Sequence, residues 1–247
     1  MKDYQNYGEH LIELIKRVSD TQSQSIDQAA EIMTQAIINQ NSIFAFGASH
    51  AGMLAMELFY RTGGLVNINP IFAADLMSNI RPATLTSDIE RLEGFGTLIL
   101  RNAPVKKGDV LILHSVSGRN AVTIDMAIEA HRLGLTVIVI TNVSYTNQVT
   151  SRHSSQKKLM DCGDVVIDNC GEFEDSSYTL NGMSQKMGPT STVTGAFIVN
   201  SLSIEVARKL LEHNIEVPVF HSANIDGGDE HNKLLMEKYH KNIFYMN

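Results

Sequence analysis

Short runs of uniformly apolar residues, each followed by an amphipathic helix, limit what this chain can fold into more than any other feature. Ser42-Ile43-Phe44-Ala45-Phe46 ends at Gly47, and Asp109-Val110-Leu111-Ile112-Leu113 closes on His114. Thr136–Thr141 and Asp164–Asp168 follow. A strand with one wet face alternates apolar and polar residues; these do not, so their sheet is covered on both faces. The cover comes from helices over Met53–Thr62, over Ala121–Leu133 (stopped by Gly134), and over 192–213. In the last of these Val193, Ala196, Phe197, Val199, Leu202, Val206 and Leu210 are read as inward. Between Asn67 and Leu98 the signal is weaker: Asn69-Pro70 and Arg81-Pro82 mark loops, and Ile71-Phe72-Ala73 reads as a small strand. The pattern predicts the α/β class, a three-layer αβα sandwich around a mainly parallel five-stranded sheet.

Ahead of the first strand, residues 4–39 read as helix. One apolar face is Leu11, Ile12, Leu14, Ile15 and Val18; a second is Ile26, Ala29, Ala30, Ile32, Met33, Ala36 and Ile37. Ser25 and Asp27 are candidate caps where the two segments meet. The expected organisation is a helical extension over 1–40, a ligand-binding domain over 41–215, and a tail over 216–247 that packs near the site, its loop Asp226–Asn232 closing over it. Helices this apolar before a sheet point to a homodimer or homotetramer.

Composition removes several function classes. With a net charge of −7 and no lysine-arginine cluster among 247 residues, the chain has no electrostatic footprint for nucleic acid, and no basic reading segment precedes residue 42. No apolar stretch approaches the roughly 18 residues of a membrane span. Cys162 and Cys170 form neither a disulfide framework nor a CxxC pair, and the N-terminus carries no targeting pattern, so reduced thiols in a cytoplasmic protein are expected. The full G-x-G-x-x-G pattern of a nucleotide-binding Rossmann protein is missing after the first strand.

Three loops carry candidate chemistry, each running into a helix. In His114-Ser115-Val116-Ser117-Gly118-Arg119-Asn120 the hydroxyls alternate, a glycine permits a tight turn, and the helix start offers unpaired N–H groups to an anion. Ser115, Ser117 and Asn120 add donors; an ordinary loop with Ser117 or Asn120 as N-cap is the other reading. In Gly47-Ala48-Ser49-His50-Ala51-Gly52, the two glycines allow close approach of backbone to ligand, and His50 is either an acid/base or a structural loop histidine. Glu57 downstream is either a general base or half of an i,i+4 pair with Arg61. In Gly188-Pro189-Thr190-Ser191-Thr192, the hydroxyls either cap the long helix or reach a sugar. The acidic, glycine-rich segment Asp226–Asn232 lacks calcium-loop spacing and reads as a tight surface loop.

The pairing of a Gly-x-Ser loop after the first strand with a Ser-x-Ser-Gly loop after a later one resembles the sugar isomerase (SIS) family over roughly residues 40–215. The segments Glu57–Gly64, Gly188–Thr192 and Phe220–Gly228 are similar to a group of stand-alone SIS proteins near phosphoheptose isomerase. The resemblance implies a phosphate pocket of Ser49, Ser115, Ser117 and Asn120, with Thr190, Ser191 and Thr192 nearby. The family's usual Gly-x-Gly-x-Ser would put the first-loop serine at Ala51, whereas here it is Ser49. Proton transfer by a glutamate and a histidine falls to Glu57 and His50, with Glu205 and His221 as second choices. Some phosphoheptose isomerases hold zinc; the histidines here lack ligand spacing, although His50, His114 and His221 can converge in space, and neither a metal nor a cofactor is assigned. The implied function is binding and aldose–ketose isomerisation of a phosphorylated sugar or amino sugar, or related lyase chemistry; the alternative is a non-catalytic phosphosugar-sensing module.

Overall fold

The computed structural model describes residues 2–246. Five strands form a parallel sheet in the order β2-β1-β3-β4-β5: β1 (Ile43–Gly47), β2 (Ile68–Pro70), β3 (Val110–His114), β4 (Thr136–Thr141) and β5 (Val165–Asp168). The helices are α1 (Asp3–Thr21), α2 (Ser23–Ile38), α3 (Met53–Leu58), α4 (Thr84–Ile89), α5 (Phe95–Asn102), α6 (Ala121–Leu133), α7 (Val143–Gln148), α8 (Ser191–Glu212) and α9 (Gly228–Lys238). Among the described residues no helix is long and apolar enough to cross a membrane.

Strand alternation sorts the core into two layers. Val110 and Ile112 join Ile43, Ala45, Ile138, Ile140 and Ile167 on the face covered by α2, α3 and α8. Leu111 and Leu113 join Phe44, Phe46, Val137 and Val139 on the opposite face, under α5 and α6. Full burial of a Leu, Ile or Phe side chain stabilises by about 1.5–3 kcal/mol, so each layer holds the sheet against its helices. The α6 boundaries follow from local chemistry: Asn120 is extended and Gly134 closes the helix in the left-handed region at φ 80°.

Several expectations need correction. The break between the first helices falls at Gln22; Ser25 and Asp27 lie inside α2, where Asp27 pairs with Lys209 of α8. The α3 helix stops at Leu58 because Phe59 turns extended and Tyr60 takes a positive φ, which sends both rings into a cluster with Phe72, Phe220 and Tyr245. The edge strand is Ile68–Pro70 rather than 71–73; Ile71 still donates to Ala45 O before the chain leaves the sheet. Val193 is exposed on the outer side of α8, which puts Ile198, rather than Val193, in the buried row. Apart from these corrections, the tail segment 218–220 exchanges backbone bonds with 63–66, and Asn69 is bonded to both Asn242 and Phe244.

Candidate functional site

The strand order creates the place for a ligand. From β1 the chain moves outward to β2, then returns across β1 to β3 and continues to β4 and β5. Connections therefore diverge at the carboxyl ends of β1 and β3, the crevice in which open α/β sheets bind ligands. The loops 47–52 and 115–120 flank it, with Gly47 paired in register with His114.

The loop after β3 is fixed through its carbonyls. Thr141 Oγ1 donates to Ser115 O at 2.6 Å, Asn142 N to Val116 O at 3.1 Å, and Thr146 Oγ1 to Ser117 O at 3.1 Å. Leu159 N donates to Gly118 O, Arg152 N to Arg119 O, and Thr123 Oγ1 to Asn120 O. The N–H groups of Ser117, Gly118, Arg119 and Asn120, and the Ser115 and Ser117 hydroxyls, take part in no hydrogen bond among the described residues. Gly118 sits at φ 59°, where a Cβ would lie 3.0 Å from Thr146 Oγ1. The result is a rigid concavity of donors at the positive end of α6, a geometry that binds anions.

Asn120 does not cap α6. Its Nδ2 donates to Glu90 Oε2 at 2.6 Å and its Oδ1 accepts from Arg152 Nη1 at 2.9 Å. Sequence reasoning missed both partners, because they lie in irregular segments with no motif around them. Burial pushes the Glu90 carboxyl up; the Asn120 bond and the charges of Arg91, Arg152 and His50 oppose that. Arg119 is tied to Thr150, so two arginines border the donor loop of an otherwise acidic protein.

The first loop uses its glycines differently from the expectation. A Cβ on Gly47 would fall 2.4 Å from Ala51 O, and one on Gly52 2.8 Å from Gly47 O, so both permit the loop to fold on itself rather than approach a ligand. Ser49 opens a short 3₁₀ turn at φ 55°, half-buried, and His50 on that turn is exposed within electrostatic reach of Glu90. Among the described residues no hydrogen bond or ion pair joins Glu57 to His50. Its Oε1 accepts from Arg61, the i,i+4 pair, and from Asn200 Nδ2 of α8 at 2.8 Å. Its Oε2 is left without a protein donor among the described residues.

The hydroxyls before α8 are consumed internally. Asp175 Oδ1 accepts from Thr190 N at 3.1 Å and Ser191 N at 2.9 Å, and its Oδ2 accepts from Ser191 Oγ at 2.6 Å. Thr190 and Ser191 are buried; Thr192 is half-buried and follows them on the helix. Of the second choices, Glu205 pairs with Arg208 along α8, and His221 stacks on His231 at 3.6 Å between ring centres, beside a small cavity it shares with Arg61. The histidines do not converge: among the described residues no three His, Cys, Asp or Glu side chains come together in a group that could hold a metal ion.

Comparison with known proteins places this geometry. A profile for the SIS domain matches residues 6–142. A UPF0309 protein of Shouchella clausii is 50% identical over 246 residues, covering 100% of both chains. One from Oceanobacillus iheyensis is 47% identical over 246 residues, covering 100% of this chain and 99% of its own. Among solved structures, a phosphoheptose isomerase from Francisella tularensis superposes with a TM-score of 0.53 at 15% identity, covering 83% of this chain and 96% of that one. The Vibrio vulnificus NanR protein complexed with ManNAc-6P gives 0.52 at 13% identity, covering 96% of this chain and 70% of that one. At these identities the structural likeness establishes the shared fold alone.

Proposed function

Since this chain belongs to the SIS domain family, we propose that it binds a phosphorylated sugar, with the phosphate at the loop 115–120. The observation that carries the reading is the loop itself: its carbonyls are tied down while the N–H groups of residues 117–120 and two serine hydroxyls have no partner among the described residues, at a helix start. A dianion gains most from such fixed dipoles because the site needs no reorganisation to receive it. Ser115 and Ser117 are direct ligands in this reading, and Asn120 orients the loop through Glu90 and Arg152. Ser49 closes the pocket from the β1 side, with Thr192 farther out on α8.

For an aldose–ketose isomerisation, one group removes a proton from the carbon beside the carbonyl and another protonates the carbonyl oxygen. Glu57, with Oε2 open, is assigned as the base. Glu90, whose burial favours the protonated form, is assigned with His50 to the oxygen. A homodimer or homotetramer is the assembly we assign, supported by Ile12 of α1 and Ile204 and Leu211 of α8, all more than 60% exposed.

The second reading, a phosphosugar sensor without catalysis, is favoured by one observation: Glu57 is engaged by Arg61 and Asn200, and no histidine bonds to it among the described residues. Thermal stabilisation by a panel of sugar phosphates tests the binding reading, since a ligand selective for the folded state raises Tm. A shift with one sugar phosphate that is reduced in Ser117→Ala supports it; no shift with any of them overturns it. Turnover of that sugar phosphate, abolished in Glu57→Gln, separates enzyme from sensor.

A further inference from the structure

On the α8 face of the sheet, the polar side chains that end three successive strands lie above the aliphatic layer: His114 after Ile112, Asn142 after Ile140 and Asn169 after Ile167. Asn142 and Asn169 lie beside Thr190 at the start of α8. The Asp175 carboxylate that caps Thr190 and Ser191 acts electrostatically on His114. A Cβ on Gly171 would touch Asn142 Nδ2, Asn169 Oδ1 and Thr190 Oγ1 at 3.1, 3.1 and 3.2 Å, so these three groups share one small space.

Three side-chain atoms on residues at or following the ends of these strands are buried with no hydrogen-bond partner among the described residues: His114 Nε2, Asn169 Nδ2 and Ser176 Oγ, on residues 3%, 0% and 9% exposed. Buried polar atoms are otherwise almost always paired, so each of the three calls for a partner that the chain does not supply. The direction of each can be stated. His114 Nδ1 lies 3.0 Å from Ala51 O, which only accepts, so Nδ1 carries the proton and Nε2 presents a bare lone pair. Burial, which disfavours the imidazolium, keeps the ring neutral. Asn169 Oδ1 accepts from Gly171 N at 2.9 Å, so its amide group is the open donor. Just ahead of Ser176 the chain turns through left-handed φ at Glu174 (61°) and Asp175 (53°), a conformation uncommon away from glycine.

We propose that these side chains form the hydroxyl-binding half of the ligand site, in which His114 Nε2 accepts a hydrogen bond from a sugar hydroxyl and Asn169 Nδ2 donates to a sugar oxygen. A fully ionised phosphate has no proton to give to Nε2 and would face the Asp175 carboxylate, so the phosphate belongs to the serine loop and the polyhydroxylated carbon chain to this chamber. The ligand spans the end of β3, from Ser115 and Ser117 on the α6 side to His114 on the α8 side. The segment carrying Asp175 and Ser176 moves to admit it. The assignment rests on the phosphosugar reading of the serine loop and adds to it a residue that selects for hydroxyls.

The test compares D-fructose 6-phosphate, D-glucosamine 6-phosphate and N-acetyl-D-mannosamine 6-phosphate with inorganic phosphate on the full chain, by titration calorimetry. In His114→Asn the amide nitrogen still reaches Ala51 O while the acceptor at the Nε2 position is gone. The variant is expected to bind the tightest of these sugars about tenfold more weakly and inorganic phosphate within about twofold of the unsubstituted chain. Equal affinity of variant and parent for that sugar overturns the proposal. Nitrogen-15 spectra of the histidine-labelled parent give a reading that does not depend on the variant folding. Nε2 of His114 is expected to resonate as an unprotonated nitrogen and to move on addition of the sugar phosphate but not of phosphate; a protonated Nε2, or one that does not move while the sugar binds, overturns it. Equal affinity of the parent for phosphate and sugar phosphates removes the hydroxyl chamber and leaves the serine loop as an anion site. No binding of either removes both.

Discussion

The loop before α6 and the loop before α8 look alike as sequence, Ser115-Val116-Ser117 against Thr190-Ser191-Thr192, yet they end in opposite states. Before α6, neighbouring residues hold the carbonyls and leave the donors free. Before α8, Asp175 takes the N–H groups of Thr190 and Ser191 and the Ser191 hydroxyl as well. A hydroxyl-rich helix start is therefore an anion site only when no carboxylate of the chain itself reaches it. That carboxylate is fifteen or sixteen residues away in sequence, at the end of a single 3₁₀ turn over Phe173–Asp175.

The contrast can be broken most severely at Gly118. A valine there meets Thr146 Oγ1 and Thr141 Oγ1 from a left-handed backbone, which costs about 1–3 kcal/mol. It should abolish sugar-phosphate stabilisation altogether, measured as the Tm shift at saturating ligand. Asp175→Ala attacks the other side. Loss of the cap should cost about 1 kcal/mol in denaturant unfolding, and the freed N–H groups of α8 should make Tm respond to inorganic phosphate more than in the parent. If phosphate responses are equal, Asp175 is a cap and nothing more.

Thr146→Val is subtler: it keeps the shape of the side chain and removes the hydroxyl that holds Ser117 O. Stability should fall by about 1 kcal/mol and sugar-phosphate affinity by a few fold, both readable from one calorimetric series. The smallest effect concerns pH. Burial holds the Glu90 carboxyl above its ordinary value of 4.5, so the folded chain keeps that proton longer than the unfolded one. This contribution is complete below the ordinary value and is lost as pH rises through the raised one. Glu90→Gln cannot ionise, so its Tm should match the parent at low pH and decline less above 4.5; parallel curves would show that Glu90 titrates normally.

How much of this was legible in the sequence depended on periodicity. Strands β1, β3, β4 and β5, and helices α6 and α8, were readable to within a residue because buried parallel strands and long helices impose their pattern on every position. The Ser115–Asn120 loop was readable because it joins two such elements. Glu90, Arg152 and Asp175 were not, since each acts from a loop, a helix end or a single short turn and only the folded chain brings it to its partner. His114 carried a visible signal, a histidine closing an apolar run, but only its fixed tautomer turns that signal into a role. The i,i+4 reading of Glu57 with Arg61 was available from spacing alone; the Asn200 contact, from a helix about 140 residues later, was not.

Asn69 at the sheet's edge has a consequence of another kind. With Nδ2 donating to Asn242 O and Oδ1 accepting from Phe244 N, it stitches the end of the chain along β2, and Phe244 stacks on Phe44 beneath. An open parallel sheet invites growth by addition of foreign strands at its rim. Here residues 242–244 lie against one of the two rims, the β2 side, and removing them is expected to show first as lost solubility, with the Tm response to sugar phosphate retained.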